Sequence, residues 1–308
     1  MAATILHLLT GPTASGKSAL ALAWARAHGA EILSCDALQI YRDMDIGTAK
    51  PSLAERALVP HHGLDLSDPS KTFSVAEYRD YAARTVAEIH ARGKSVLIIG
   101  GSGFYLKCFF SPVADDVDIP PEVEVEVGAL EKTGGLPLLV ARLRAASPVS
   151  TGNVDLHNPR RVSRALARCL ASGLSVPELA TKFAASGTPF DHWERKLVRL
   201  DRAPTDLAAR IQARTQKMLA TGLIDEVRHL APALRLNPAA GSAIGYRETL
   251  AWLDGGEKGP LADLAVTIAQ RTLHLYKKQR TWFRTQLPPH KVLALTEAST
   301  PAEAGLFA

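Results

Sequence analysis

Ile5-Leu6-His7-Leu8-Leu9 is a short, nearly unbroken apolar run that stops at a glycine-rich stretch. A run of that length, bounded by turn residues, predicts a strand buried on both faces. Lys17 to His28 is rich in alanine and leucine, and Gly29 stands where a helix from those residues would stop. Glu31 to Ser34 starts a second strand, and Ser95 to Ile99 is another, closed by Gly100-Gly101. Short apolar strands separated by helices predict an α/β fold: a nucleotide-fold core with a parallel sheet flanked by helices. From about residue 111 the texture changes. Asp115 to Pro121 reads as an acidic, proline-containing linker, and little after it has strand character. Asn158-Pro159 is a helix start, a capping residue followed by proline at the first helical position. The helix it opens sets Val162, Leu166, Cys169 and Leu170 on one face and Arg160, Arg164 and Arg168 on the other, with Arg161 nearby. Residues 205–230 and 262–284 are helical by the same periodicity. The expected organisation is an α/β core over 1–112, a helical insertion facing nucleic acid over 113–200, and a helical part over 201–308 returning to the core.

A chain of 308 residues suggests about two compact units at ~150 residues each. The three cysteines, Cys35, Cys108 and Cys169, are far apart and lack CxxC spacing, which points to a reducing, cytosolic compartment and away from a structural zinc. No apolar run approaches the ~18 residues a membrane span needs, so no membrane partner is expected. Charge is unevenly placed. Residues 1–135 carry 12 basic and 17 acidic side chains, residues 136–217 carry 14 and 6, and residues 218–308 carry 10 and 8. A basic middle beside an acidic start fits a polyanionic partner or a solvated helical surface.

Gly11-Pro12-Thr13-Ala14-Ser15-Gly16-Lys17-Ser18 matches GxxxxGK[ST] at every fixed position and lies between an apolar strand and a helix. Glycines let the backbone wrap an anion, and amides at a helix N-terminus point at it. Lys17, read as solvent-facing, adds a point charge on the phosphates, and the Ser18 hydroxyl is the candidate ligand for Mg²⁺. A nucleotide hydrolase of this type usually ends a second apolar strand in a metal-holding aspartate, yet Val96 to Ile99 runs into glycines. The acid is Asp36, after the strand 31–35, placed as a base that deprotonates an acceptor. On the residues alone, a group transferase, a small-molecule kinase and a non-catalytic RNA-binding switch all stay open.

The sequence resembles the bacterial-type tRNA dimethylallyltransferases from residue 8 to about 284. The resemblance rests on Gly11 to Ser18, on Ser34 to Tyr41 followed by Met44-Asp45-Ile46-Gly47-Thr48-Ala49-Lys50-Pro51, and on Pro60-His61-His62 with Asp65 and Asp68-Pro69. Gly100 to Tyr105, Gly222 to Val227, Ala243-Ile244-Gly245-Tyr246 and Thr281 to Arg284 also match. It implies transfer of a dimethylallyl group from its diphosphate to the exocyclic amine of the adenine 3′ to a tRNA anticodon, by a monomer using Mg²⁺. Carried over by position, Thr13 to Ser18 would hold the diphosphate with Arg210 and Arg214, and Lys17 would act on the leaving group. Asp36 would be the general base, and Ser102 would stand where the family usually has threonine. Asp36, Ala37, Leu38, Gln39 and Ser102, with Arg160, Arg161, Val162, Ser163 and Arg164, would meet the anticodon stem-loop. Ala37 and Leu38 replace residues that are mostly polar in the family, and the adjacent His61 and His62 read as structural.

Overall fold

β1 (Ile5–Thr10) buries Leu6, Leu8 and Leu9 completely, so both its faces are covered. Each such leucine contributes about 1.5–3 kcal/mol relative to an exposed one. The computed structural model describes residues 4–113, 117–296 and 305–307; Asp115 and Asp116 of the expected acidic linker therefore lie outside the described residues. After β1 come α1 (Lys17–His28), β2 (Glu31–Ser34), α2 (Leu53–Leu58), β3 (His61–His62), α3 (Val75–Ala91), β4 (Val96–Gly100) and α4 (Gly103–Lys107). The middle of the chain holds α5 (Pro121–Ala146), α6 (Pro159–Ser172) and α7 (Val176–Ala185). Then follow β5 (Glu194–Arg202), α8 (Pro204–Ala220), α9 (Leu223–Leu236), α10 (Pro238–Gly241), α11 (Tyr246–Asp254), α12 (Leu261–Gln286) and β6 (Lys291–Leu295).

Among the described residues, six strands form one parallel sheet in the order β3-β2-β4-β1-β5-β6. All carboxyl ends therefore share one edge, where ligands bind in open α/β sheets. The chain divides into two units: residues 1–110 with 189–308, and residues 111–188. The insertion thus ends near 188, not 200, because Glu194–Arg202 is a strand paired with β1 and β6 inside the sheet. The glutamates at 122, 124 and 126 lie in the first turns of α5, behind a proline at the helix start.

The second unit has its own core. Val162, Leu166 and Cys169 of α6 pack with Leu139 and Leu143 of α5 and Leu179 of α7. Asn158 caps α6 by accepting from the Arg161 amide, 3.2 Å. Val162 is completely buried, which corrects its place in the RNA-facing stretch: its side chain belongs to the core. Arg160, Arg161 and Arg164 are exposed.

In the first unit, three separated sequence motifs meet at one carboxylate. Glu226 of α9 accepts from the backbone amides of Asp45 (3.0 Å), Ile46 (2.7 Å) and Gly47 (3.1 Å). It also accepts from the Tyr246 hydroxyl, 2.6 Å. A Cβ on Gly47 would lie 2.4 Å from the Tyr246 ring, so only glycine lets the loop pass the ring. Glu226→Gln replaces one acceptor oxygen with an amide that cannot accept. It should lower stability by roughly 1–3 kcal/mol, read from the midpoint of urea unfolding; an unchanged midpoint would show that the loop holds without this carboxylate.

Candidate active site

The phosphate-loop motif leaves β1 and enters α1 through Gly16, whose φ of 95° is left-handed and suits glycine. Its carbonyls are tied back by cations. Lys17 Nζ donates to the Pro12 carbonyl (2.8 Å), Arg210 Nε to Ala14 (2.9 Å) and Arg202 Nε to Ser15 (2.9 Å). With the carbonyls held away, amides are available to an anion. Arg214 donates to the Thr13 hydroxyl, 3.3 Å. Residues Ala14 to Ser18, Arg210 and Arg214 line one cavity of about 380 Å³, so both arginines anticipated at the phosphates stand at the loop. The Ser15 hydroxyl is buried without a protein partner.

Asp36 follows β2 and reaches the same sheet edge. β4 ends at Gly100, where a Cβ would lie 1.9 Å from the Cys35 carbonyl oxygen, so only glycine permits this approach. The Leu38 amide donates to Asp36 Oδ1 (3.0 Å), fixing the carboxylate. Ser102 accepts from the Ala37 amide through its hydroxyl, 3.0 Å. Asp36, Ala37, Leu38 and Ser102 line a cavity of about 460 Å³ with Ile244, Ile268 and Trp282. A smaller cavity of about 130 Å³ holds Lys17, Ser18 and Asp36. Thr13, Asp36, Thr48, Gly101, Arg214 and Gln279 line both, so the two adjoin. The larger compartment is mainly apolar, with Asp36, Arg214 and Lys278 as its charged members, and the smaller one is mainly polar.

Gln39 lines the polar compartment. Its amide braces the neighbouring loop, accepting from Ser34 Oγ (3.0 Å) and donating to the Thr48 and Ala49 carbonyls (3.3 Å each). His62 pairs with Glu31 (2.7 Å) and His61 with the Val59 carbonyl (2.7 Å). Among the described residues no cluster of three His, Cys, Asp or Glu is arranged to hold a metal. Ser18 lines the polar cavity with its hydroxyl, an oxygen of the kind Mg²⁺ takes beside substrate phosphates and water. Two positioning groups escaped the sequence reading. Gln279 of α12 accepts from the Thr13 amide (2.9 Å) and donates to the Gly101 carbonyl (3.0 Å), joining the phosphate loop to the β4 exit. Arg202 also pairs with Asp206, 2.6 Å. Neither has a local sequence signal, since both act across long separations.

Lys17 is half-buried and lines two cavities, so it is less open to solvent than an exposed loop lysine. Burial pulls its ammonium down to about 8 from 10.5, against the raising effect of Asp36 and reinforced by Arg214. The folded state thus holds fewer protons here than the unfolded chain between about pH 8 and 10.5, so this group makes stability rise with pH in that window. Ligand affinity should go the other way. Binding of a diphosphate ester, measured by calorimetry, should weaken about tenfold per pH unit above 8, and Lys17→Arg should flatten that dependence. Constant affinity from pH 7 to 9.5 would remove Lys17 from the phosphate site.

The model of the family described as "IPP transferase" matches residues 39–286. The tRNA dimethylallyltransferase of Opitutus terrae is 52% identical over 287 residues, covering 93% of this chain and 92% of that protein. The corresponding protein of Chloroflexus aggregans is 39% identical, covering 91% and 92%. Among solved structures, the tRNA isopentenylpyrophosphate transferase of Bacillus halodurans superposes with a TM-score of 0.68 at 30% identity, over 97% of this chain and 92% of that one. A eukaryotic dimethylallyltransferase acting on tRNA has a TM-score of 0.83 at 23% identity, over 98% and 77%, a likeness of fold alone. Matched over most of its length and housing a phosphate loop, a carboxylate and an apolar compartment in one continuous site, the chain belongs to the IPP transferase family of enzymes.

Proposed function

We propose that this protein transfers the dimethylallyl group of dimethylallyl diphosphate to the exocyclic N6 amine of the adenine 3′-adjacent to a tRNA anticodon, releasing diphosphate. The observation that carries the reading is the adjoining pair of compartments with Asp36 lining both. Diphosphate sits on the loop from Thr13 to Ser18 with Arg210 and Arg214, and the apolar chain extends toward Ile244 and Ile268. The amine nitrogen attacks C1 of the dimethylallyl group. The C–N bond forms, the C1–O bond breaks, and its electron pair leaves with the diphosphate. One amine proton passes to Asp36, held for the purpose by the Leu38 amide. Lys17 and the arginines stabilise the charge that develops on the leaving group. Mg²⁺, held by Ser18 and phosphate oxygens, would add further charge stabilisation there. The target base must leave its stack to enter the cavity, which costs least in a loop. Action in the cytoplasm as a monomer completes the proposal.

Labelled dimethylallyl diphosphate and unmodified tRNA, incubated with and without chelator and digested to nucleosides, test the reaction. Prenylated adenosine should appear in step with diphosphate, without consumption of ATP or GTP. Steady tRNA-stimulated release of orthophosphate from ATP would instead support a nucleotide hydrolase. In single turnover at saturating substrates, Asp36→Asn should slow product formation by about 10²–10⁴-fold, with tRNA binding nearly unchanged. Near-normal turnover would move the proton-acceptor role elsewhere, to the departing diphosphate first.

The exposed arginines of α6 are proposed as phosphate contacts for tRNA, since phosphates dominate nucleic-acid affinity. Ser163, between them, is half-buried, and Arg161 also pairs loosely with Asp155 at 3.8 Å. Replacing Arg160, Arg161 and Arg164 by Ala should weaken tRNA binding and flatten its salt dependence, each lost contact lowering the log–log slope by up to roughly 0.7–0.9. Affinity unchanged at both low and high salt would make this an ordinary solvated helix face.

A further inference from the structure

Phe104 is 68% exposed, although both residues after it are buried. Tyr105 is 5% exposed and stacks on Tyr78 with ring centroids 4.3 Å apart at 19°. Leu106 is fully buried, and the Tyr105 hydroxyl donates to the Phe73 carbonyl, 3.4 Å. On the other side, a Cβ at Gly103 would lie 2.7 Å from the Trp282 ring, so α4 is seated against α12 there. Ser102, one residue earlier, is tied to the Ala37 amide. The short helix is thus held at both ends, and its geometry forces the one unpacked ring outward. Phe104 lines the cavity that also contains Asp36, Ser102 and the exposed cation Lys278. A lone exposed phenylalanine needs no explanation. One mounted rigidly on the wall of a reaction cavity that also holds a cation is another matter.

We propose that Phe104 is a stacking platform for the nucleobase next to the target adenine, holding the RNA loop open while the target occupies the cavity. The proposal rests on the transfer reaction above. When the target base leaves its stack, its neighbour loses one stacking face to water. An aromatic ring fixed at the cavity mouth replaces that face without reading base identity, the arrangement by which single-stranded RNA is commonly held. Lys278, exposed and lining the same cavity, would meet the intervening phosphate. Phe104 is therefore a positioning residue for the acceptor, with no part in the chemical step.

The test uses the full chain and an anticodon stem-loop RNA carrying 2-aminopurine at either neighbour of the target adenine. With wild-type protein the fluorophore next to the platform should be quenched on binding. Phe104→Ala should remove the quench and raise the KM for RNA about 5- to 100-fold, leaving kcat and the KM for dimethylallyl diphosphate nearly as they were. Phe104→Trp should restore both readouts, and Phe104→Leu, apolar but not aromatic, should recover at most part of them. Unchanged KM for RNA and unchanged quenching in the alanine variant overturn the platform. So does a rise confined to the KM for dimethylallyl diphosphate, which would assign the ring to the prenyl chain. A wild-type protein that quenches through Phe104 yet forms no prenylated product would sink the reaction and support the platform, so the two failures are separable.

Discussion

The site depends on cations tying back the carbonyls of the phosphate loop. A backbone loop that wraps an anion must present N–H groups inward, and each inward N–H turns a carbonyl outward. Left in a partly dry environment, those carbonyls would need partners. Lys17, Arg210 and Arg202 supply them at Pro12, Ala14 and Ser15. The same cations raise the local positive potential that a diphosphate meets, so one set of contacts shapes the loop and charges it. Arg202 in turn is held by Asp206 and by the Thr296 carbonyl, which links the loop to the end of β6, the edge strand of the sheet.

A second network sets the opposite wall. Glu226 gathers the Asp45–Gly47 amides and the Tyr246 hydroxyl, while Lys50 is buried with Asp45 (2.5 Å), Asp65 (2.7 Å) and the Tyr41 carbonyl (2.7 Å). Burial alone would raise the Asp65 carboxyl, yet hydrogen bonds from Lys50 and Arg56 hold it below its ordinary value. These groups touch the reacting centre only through the backbone they position. Gly47 and Thr48 reach the apolar compartment because Glu226 and Lys50 hold the loop on which they stand. Gln279 ties the phosphate loop to the β4 exit, with one end on Thr13 and the other on Gly101.

Much of this was legible in the sequence, and the failures are instructive. β1, α1, β2 and β4 follow from apolar runs and glycine stops, because strands covered on both faces have few polar residues to blur the signal. β5 was missed. Glu194-Arg195-Lys196-Leu197-Val198-Arg199-Leu200-Asp201-Arg202 is mostly charged and does not alternate, but it pairs on both sides and its charges find partners. Arg195 donates to the Phe109 carbonyl, Arg199 to His290, and Arg202 to the phosphate loop. Missing that strand moved the end of the insertion from 188 to 200. Val162 was assigned to RNA by adjacency with its arginine neighbours, although its own helical position already put it on the apolar face.

By itself the sequence determined the anion cradle, the carboxylate after β2, the basic stripe on α6 and the family. Each is a local matter: spacing of glycines, one residue at a strand end, a 3.6-residue period, or a run of motif residues. Only the tertiary structure decided that Lys17 is desolvated, that Arg202 and Gln279 brace the loop, that Glu226 and Tyr246 act on Gly47, and that Phe104 points outward. Those outcomes depend on which side chains meet across roughly a hundred residues or more, or on which faces are already filled. Hydrogen bonds between such partners are set by the packing of strands and helices, and no local pattern in the chain encodes them.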